Sequence, residues 1–377
     1  MTQPKQEIPQ WVDVALIPIV NILMALFVSG LIILLIGENP IDAVKIMVMG
    51  AVGYDGGFGY TLYYTTNFIF TGLAVAMAFH ASLFNIGGEG QAYIGGLGIG
   101  LAILAFDGYL PFILILPICI AAGALFGAAW VAIPAYLQAY RGSHIVITTI
   151  MFNFIASALM VYLLVNVFIE PGQMSPQSRV FEESAWLPFA HEMAAWIGIK
   201  TTKTPLNMSF LWALICCVLV WFYIWRTRWG YALRTVGFNE SAAIYAGINP
   251  KRVIMITMCI SGGLAGFVGF NEIMGVQHKL LLNFTAGYGF TGIAVSLMGR
   301  NHPIGIVMAS LLFGILYQGG AELAFEIPKI TREMVVVIQG LVILFSGALA
   351  YMSKPWVEGA YLYVANFNRK AVEEGAS

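Results

Sequence analysis

The chain has 377 residues, of which 59% are hydrophobic and only 10% are charged, and its formal net charge is −1. A soluble domain carries roughly 25% charged residues, so the composition excludes a soluble enzyme. It also excludes a disordered protein, which needs low hydrophobicity and high charge, and no basic stretch is present that could hold nucleic acid. What remains is an all-α polytopic integral membrane protein.

Stretches of about 20 apolar residues cross a bilayer as helices, and ten such runs follow one another along the chain. The first is too long for the apolar core of a signal peptide and lacks a small-residue cleavage site, so it is predicted to be a retained helix. The ten predicted spans are 14–37, 62–84, 88–106, 110–137, 145–169, 206–225, 253–274, 281–297, 304–323 and 334–350.

Lys and Arg residues in the loops indicate how the chain is oriented in the membrane. With the N-terminus placed in the cytoplasm, 11 Lys and Arg residues lie inside and 4 lie in the short outer segments. This asymmetry predicts that both termini are cytoplasmic. It gives tails at 1–13 and 353–377 and a single transmembrane domain at 14–352.

Two of the predicted loops are long. The external loop, 170–205, carries four glutamates and contains short apolar segments. One interpretation is a solvated loop with a surface helix, and the other is a docking surface for an external partner.

The second long loop, 226–252, is predicted to be cytosolic and holds five basic residues. Asn239 is a good N-cap for a short helix, Glu240 favours its first turn, and Gly247 can end it. A short helix held rigidly between two spans would serve as a lever for a cytosolic motor. A merely structural loop is the alternative.

Several motifs that suggest other chemistry are rejected. The segment 287–292 matches the dinucleotide pattern Gly-x-Gly-x-x-Gly, but no strand precedes it and its flanks are transmembrane. The Walker phosphate-binding pattern is absent, and no catalytic or metal-ligand set is predicted. The four cysteines lie in apolar runs and are predicted to be inert buried thiols: Cys119, Cys216, Cys217 and Cys259.

Glycine spacing is more informative than these motifs. Pairs four residues apart, at 96/100, 123/127 and 262/266, predict helices whose backbones approach closely. Two glycine-rich breaks, at 85–91 and 287–292, are of another kind. Interrupted helices in corresponding places of two halves often border a transport path, because their freed backbone groups must be buried in protein or face a watery cavity.

Two carboxylates strengthen the prediction of a path, since a charge within a span is costly and usually faces the bundle interior or a cavity. Glu89 is interpreted either as a helix N-terminal cap or as a substrate contact. Glu272 is interpreted either as an interfacial residue or as part of the path. The candidate path residues are Asn85, Glu89, Gln91, Asn271, Glu272, Gly287 and Gly289.

Three ordered motifs resemble one family of transporters. They are TGLAVAMAFHASLFNIGGEGQ at 71–91, RTxxGxxLR followed by VGFNESAAIYAGI within 226–248, and GYGFTGIAVSLMGRNHPIG at 287–305. Over roughly residues 40–350 the chain resembles ABC-importer permeases for nucleosides and simple sugars, a group that includes the ribose and branched-chain amino acid types. It departs at His80-Ala-Ser82, where the family often has Arg-Ala-Gly, and this serine predicts a less sharp helix end.

The resemblance implies a type-II-like permease in a bacterial plasma (inner) membrane, without enzymatic activity, that forms half of the path for a small polar substrate. The implied partners, besides membrane lipid, are a cytosolic ABC ATPase, a sister permease in a heterodimer, and an external substrate-binding protein or lipoprotein. ATP and Mg would be held by the ATPase, so this chain is expected to bind no cofactor. The implied coupling helix on the ATPase contains Asn239, Glu240, Ser241, Ala242, Ala243 and Gly247.

A second class of function stays open at this point. A secondary transporter driven by protons or sodium would use Glu89 and Glu272 as its coupling carboxylates. Such a transporter does not need the basic, helix-forming 226–252 loop.

Overall fold

A computed structural model describes residues 9, 12, 16–345, 355–359 and 361 of the chain. Most of the two predicted tails lies outside the described residues. The N-terminal end of the first predicted span and the C-terminal end of the last predicted span also lie outside them. In the described part the chain is helical, apart from two isolated β-bridges. Its helices in chain order are α1 (Ile17–Leu35), α2 (Pro40–Val48), α3 (Gly57–Phe79), α4 (Gly88–Phe106), α5 (Phe112–Arg141), α6 (Ile145–Asn166), α7 (Ala190–Trp196), α8 (Ser209–Arg226), α9 (Arg228–Phe238), α10 (Glu240–Tyr245), α11 (Pro250–Gly266), α12 (Tyr288–Met298), α13 (Pro303–Glu326) and α14 (Arg332–Ile343).

The described helices confirm an all-α polytopic membrane protein. Seven helical segments are long and apolar enough to cross a bilayer, and they correspond to seven of the predicted spans: Gly57–Phe79, Gly88–Phe106, Phe112–Arg141, Ile145–Asn166, Ser209–Arg226, Pro250–Gln277 and Pro303–Glu326. Three shorter apolar helices, Ile19–Leu35, Tyr288–Met298 and Glu333–Val342, overlap the other three predicted spans. The total of ten stays a prediction.

The chain divides into two units, and the smaller consists of the described parts of Met1–Val48 and Gly319–Ser377. In it α1 packs on α14. Lys329 Nζ lies 2.8 Å from Glu38 Oε1. Gly319 lies against the backbone of Met47, where a Cβ would overlap the Met47 carbonyl, so a glycine permits this contact.

The larger unit is Met49–Gln318, and its centre is built on closely packed glycines. Helices α5 and α11 meet where Gly127 faces Gly262 and Gly123 faces Gly266. A Cβ on any of these glycines would overlap a backbone or side-chain atom of its neighbours. The predicted packing role of these two pairs is confirmed.

Side-chain caps organise the 226–252 loop in the larger unit. Asn239 Oδ1 accepts a hydrogen bond from the backbone N–H of Ala242 at 3.0 Å, which caps α10 at its N-terminus. Gly247 follows the helix with a φ of +76°, a conformation that glycine adopts without strain. The predicted short helix is therefore confirmed, with Thr227 and Asn249 capping α9 and α11 on either side.

The 170–205 loop contains the predicted surface helix, α7, but most of its order comes from residues distant in sequence. The backbone N–H groups of Ser178, Phe181 and Leu187 donate to the carbonyls of Leu280, His278 and Met274 at 2.9, 2.8 and 3.2 Å. The loop is thus held along the segment that joins α11 to α12.

An ion pair fixes the same loop to the end of α4. Two guanidinium nitrogens of Arg179 lie 2.8 and 2.9 Å from the carboxylate oxygens of Asp107, whose side chain is 3% exposed. Burial raises the pKa of Asp107, but the hydrogen bonds from Arg179 and from the backbone of Glu182 and Gly108, together with the charge of Arg179, outweigh burial and hold the pKa below its usual range.

Candidate functional site

The first glycine-rich break lies between α3 and α4 and is held by a pair of amide side chains. Asn85 and Gln91 exchange two hydrogen bonds, each 2.9 Å, and Asn85 Oδ1 also accepts from the backbone N–H of Gly87 at 3.0 Å. Both side chains are buried. In this arrangement the two candidate path residues shape the backbone of the break.

The preceding helix end is sharper than expected. Ser82 adopts a φ of +56°, and the backbone N–H of Leu83 donates to the carbonyl of Ala78 at 3.0 Å, which closes the last turn of α3. The expectation that serine at this position gives a less sharp end is wrong, because the backbone adopts the left-handed conformation without a glycine.

In the second break, three residues that precede α12 have a positive φ: Asn283 (+58°), Ala286 (+44°) and Gly287 (+82°). The backbone N–H groups at the start of α12 are then free to bind an acceptor. That acceptor is Glu89, whose carboxylate accepts from Gly287 N at 3.0 Å, Gly289 N at 2.8 Å and the Thr285 hydroxyl at 2.5 Å.

The two breaks therefore face each other, and Glu89 is the contact between them. A carboxylate suits this place because it compensates the positive end of a helix dipole. A Cβ on Gly289 would overlap the backbone of Glu89, so the approach requires glycine. The interpretation of Glu89 as an N-terminal cap fits this geometry, with the difference that the capped helix is α12 and not α4.

Glu272 lies in a π-helix, Phe270–Gln277, that continues α11. Its Oε1 accepts hydrogen bonds from the Tyr63 hydroxyl at 2.5 Å and from Asn67 Nδ2 at 2.6 Å. The residue is only 2% exposed, so its carboxylate faces the protein interior, as is usual for a carboxylate within a span. Short π-helical segments inside longer helices frequently occur at functional sites.

Asn271 extends this buried polar group to the start of α8. Its Nδ2 donates to Asn67 Oδ1 at 2.9 Å, and its Oδ1 accepts from Asn207 Nδ2 at 2.9 Å and from the Ser209 hydroxyl at 2.8 Å. Helices α3 and α8 and the π-helix are thereby joined through side chains that have no contact with water.

Four aromatic side chains lie next to the residues that bind the two carboxylates. We call them the aromatic cluster, and they are Tyr64, Phe68, Tyr288 and Tyr317. The ring centroid of Phe68 lies 4.9 Å from that of Tyr317 and 5.5 Å from that of Tyr288, and Tyr64 lies 5.8 Å from Tyr317. Tyr288 stands between the two glycines that Glu89 binds, and Tyr64 follows Tyr63, which binds Glu272.

Sequence reasoning did not find this cluster. The available signal was the spacing of Tyr64 and Phe68, which lie on one face of α3, together with Tyr288 inside the third motif. Phe68 is fully buried, whereas Tyr64 and Tyr317 are partly exposed. Aromatic rings can stack on a planar base or on a sugar face, so the partly exposed side of the cluster can contact a ring-bearing solute.

The predicted coupling residues lie together on α10 and its flanks. Glu240, Ser241 and Ala242 are exposed, whereas Ala243 is buried and attaches the helix to the protein. Sequence reasoning missed two exposed aromatic residues here: Phe238, the last residue of α9, is 92% exposed, and Tyr245, the last residue of α10, is 96% exposed. Exposed apolar patches occur at contacts with protein partners and with membranes.

Helices long and apolar enough to span a membrane, two facing breaks and buried carboxylates are typical of polytopic membrane transporters. Comparison with known families is consistent with this class. Residues 57–347 match the model of the permease component of branched-chain amino acid transport systems, and the chain belongs to this family. Family membership gives no support to the ion-coupled alternative.

Several similar proteins are named as ABC transporter permeases. The guanosine ABC transporter permease protein NupP of Bacillus subtilis is 34% identical, with 88% of this chain and 92% of that protein covered. A glucose ABC transporter permease protein of Haloferax volcanii is 32% identical, covering 91% and 89%. The nucleoside ABC transporter permease protein NupB of Lactococcus lactis is 32% identical, covering 88% and 90%. The same organism has a second matching nucleoside permease protein, NupC.

Proposed function

We propose that this ABC permease forms half of the path by which a nucleoside or a simple sugar enters the cell. The observation that supports this most is the junction of the two breaks at Glu89, beside the aromatic cluster. Carboxylates, hydroxyls and ring faces are groups that a small polar, ring-bearing solute can contact along its path. The names of the relatives favour the same solutes, since they act on guanosine, nucleosides and glucose.

The chain works with separate subunits in this proposal. A cytosolic ATPase holds ATP and Mg and docks on α10, which begins just after the exposed Phe238 and ends at the exposed Tyr245. This chain itself contributes no cofactor site and no catalysis. Both termini lie on the cytoplasmic side of a bacterial plasma membrane.

A sister permease completes the path, and an external substrate-binding protein or lipoprotein delivers the solute. The occurrence of two matching nucleoside permeases in Lactococcus lactis favours a heterodimer. The 170–205 loop is the external surface offered to the delivering protein.

The test is uptake by the complete transporter in proteoliposomes, with labelled guanosine and labelled glucose supplied separately. Uptake should require ATP inside the vesicles and should be unaffected by an uncoupler. Uptake that proceeds without ATP and collapses with an uncoupler would contradict the proposal.

A pair of substitutions in the aromatic cluster examines the path itself. Stacking of one base on an aromatic ring contributes about 1–3 kcal/mol, so Tyr317→Leu should lower guanosine uptake by about tenfold or more. Tyr317→Phe keeps the ring and should retain most of the uptake. Tyr162→Leu, which removes an exposed ring on α6, is the matched control and should behave as the unmodified protein. If Tyr317→Leu took up guanosine as fast as the unmodified protein, the aromatic cluster would not be part of the path.

A further inference from the structure

The turn after α3 touches the end of α9 more closely than any side chain would allow. Gly237, one residue before the end of α9, lies against the carbonyl of His80, and a Cβ at this glycine would overlap that oxygen. The turn is also the beginning of the first break, since Asn85 follows it by three residues. A segment next to the proposed motor-docking helix thus lies directly against a segment next to the proposed path.

Ser82 is the residue that bonds the two segments. Its hydroxyl donates to the carbonyl oxygen of Gly237 at 2.6 Å. It does so from a φ of +56°, a conformation that strains a serine and would leave a glycine unstrained. The serine therefore retains an unfavourable backbone conformation and gains a hydrogen bond that a glycine cannot make.

We propose that the Ser82 hydroxyl couples the proposed ATPase-docking segment to the path, by making the turn at 80–82 move with the C-terminal end of α9. This inference rests on the proposed function of α10 and deepens it. Ser82 is a positioning residue in this scheme, since it acts through the first break and not on the solute.

On both sides of the Ser82–Gly237 hydrogen bond, few residues separate the bonded residue from the segment that it would move. Asn239, the cap of α10, follows Gly237 by two residues. On the other side, residues 83–91 are held as one piece, because the Asn85–Gln91 pair and Asn153, which binds Gly90 N and the Ile86 carbonyl, fix the break internally. Glu89 then passes any displacement of this piece to the start of α12.

A further contact ties the same turn to the other end of α12. His80 Nε2 lies 3.1 Å from the carbonyl oxygen of Asn301, which follows α12. Helix α12 is therefore connected at its N-terminus through Glu89 and beyond its C-terminus through His80. Displacement of the turn would shift this helix as a whole.

The experiment compares substrate molecules moved per ATP hydrolysed in the complete transporter, using Ser82→Gly and Ser82→Ala. Glycine removes both the hydroxyl and the backbone strain, so Ser82→Gly should fold at least as well as the unmodified chain. Loss of one neutral hydrogen bond should lower the transport-to-hydrolysis ratio by about fivefold in both variants. Thr235→Ala is the matched control, because its hydroxyl bonds only to Tyr231 within α9, and it should retain the normal ratio.

A second measurement separates coupling from stability. Spin labels at Ala246→Cys and Phe84→Cys report the proposed docking helix and the first break, and both should shift when ATP binds to the complete transporter. With Ser82→Gly added, the label at position 84 should no longer respond while the label at position 246 does. An unchanged ratio and an unchanged response at position 84 would overturn the inference. Absence of any ATP-dependent uptake by the unmodified transporter would instead overturn the proposed function.

Discussion

The 170–205 loop and the 226–252 loop are similar in length and are ordered by opposite means. The 226–252 loop is built from short helices whose N-caps, Thr227, Asn239 and Asn249, lie at most three residues from the groups they bind. The 170–205 loop is held by backbone pairing to residues 274–281 and by the Arg179–Asp107 ion pair, whose partners are 72 residues apart.

This difference shows which kind of rigidity a sequence reveals. A cap is a local contact between residue types with known preferences, so the 226–252 loop was predicted as a stiff element. Backbone pairing places no requirement on side chains, so the 170–205 loop has the composition of a solvated loop although its backbone is fixed. The same comparison separates their roles in the proposal, since one loop offers a lever and the other a platform next to the path.

The largest expected effect concerns the anchor of the 226–252 loop to the rest of the protein. Gly237→Ala places a Cβ against the His80 carbonyl, and overpacking of this kind costs about 3 kcal/mol. Thermal unfolding of the purified protein should show the loss. Gly142→Ala, at a glycine with φ +70° and open space around it, meets only backbone strain of about 1 kcal/mol. Equal losses in the two variants would mean that the close contact at Gly237 does not hold the loop.

A smaller effect is expected when the ion pair of the 170–205 loop is broken. Arg179→Met leaves the buried Asp107 carboxylate without its partner, which should cost about 2 kcal/mol in the free energy of unfolding. Asp107→Asn should cost less, because Arg179 is 41% exposed and can be hydrated. Thermal unfolding should therefore show a larger loss of stability for Arg179→Met than for Asp107→Asn. The opposite order would mean that the arginine is the desolvated partner.

The pH dependence of this ion pair has a defined sign. The pKa of Asp107 is lower in the folded protein than its ordinary value, so its stabilising contribution is complete above about pH 4 and decreases as the pH falls through the folded-state pKa. The difference in the free energy of unfolding between the unmodified protein and Asp107→Asn should therefore be the same at pH 7 and pH 5. A difference that disappears at pH 5 would contradict the assignment.

The smallest effect is local and concerns a cap. Asn239→Ala removes the acceptor for Ala242 N and should cost about 1 kcal/mol. Hydrogen exchange should show faster exchange in α10 alone, with the 170–205 loop unchanged. Asn249→Ala, which removes the cap of α11, is the matched control and should leave the amides of α10 protected. Faster exchange in both loops would mean that they are not independent.

The sequence by itself determined the class of membrane protein, seven spans, the packing of the glycine pairs at 123/127 and 262/266, and the capped helix α10. Each of these depends on composition or on contacts within a few residues, which periodicity and residue preference express directly. It also identified both breaks and Glu89, because a carboxylate and adjacent glycines are unusual within apolar runs.

Only the tertiary structure decided what those residues do. It assigned Glu89 to the N-terminus of α12, joined Glu272 to Tyr63 and Asn67, assembled the aromatic cluster from three helices, and bonded Ser82 to Gly237. The partners in these contacts are between 155 and 249 positions apart, as in Ser82 to Gly237 at 155 and Phe68 to Tyr317 at 249. A single sequence carries no local signal for such pairs, because the choice of partner depends on how the helices pack.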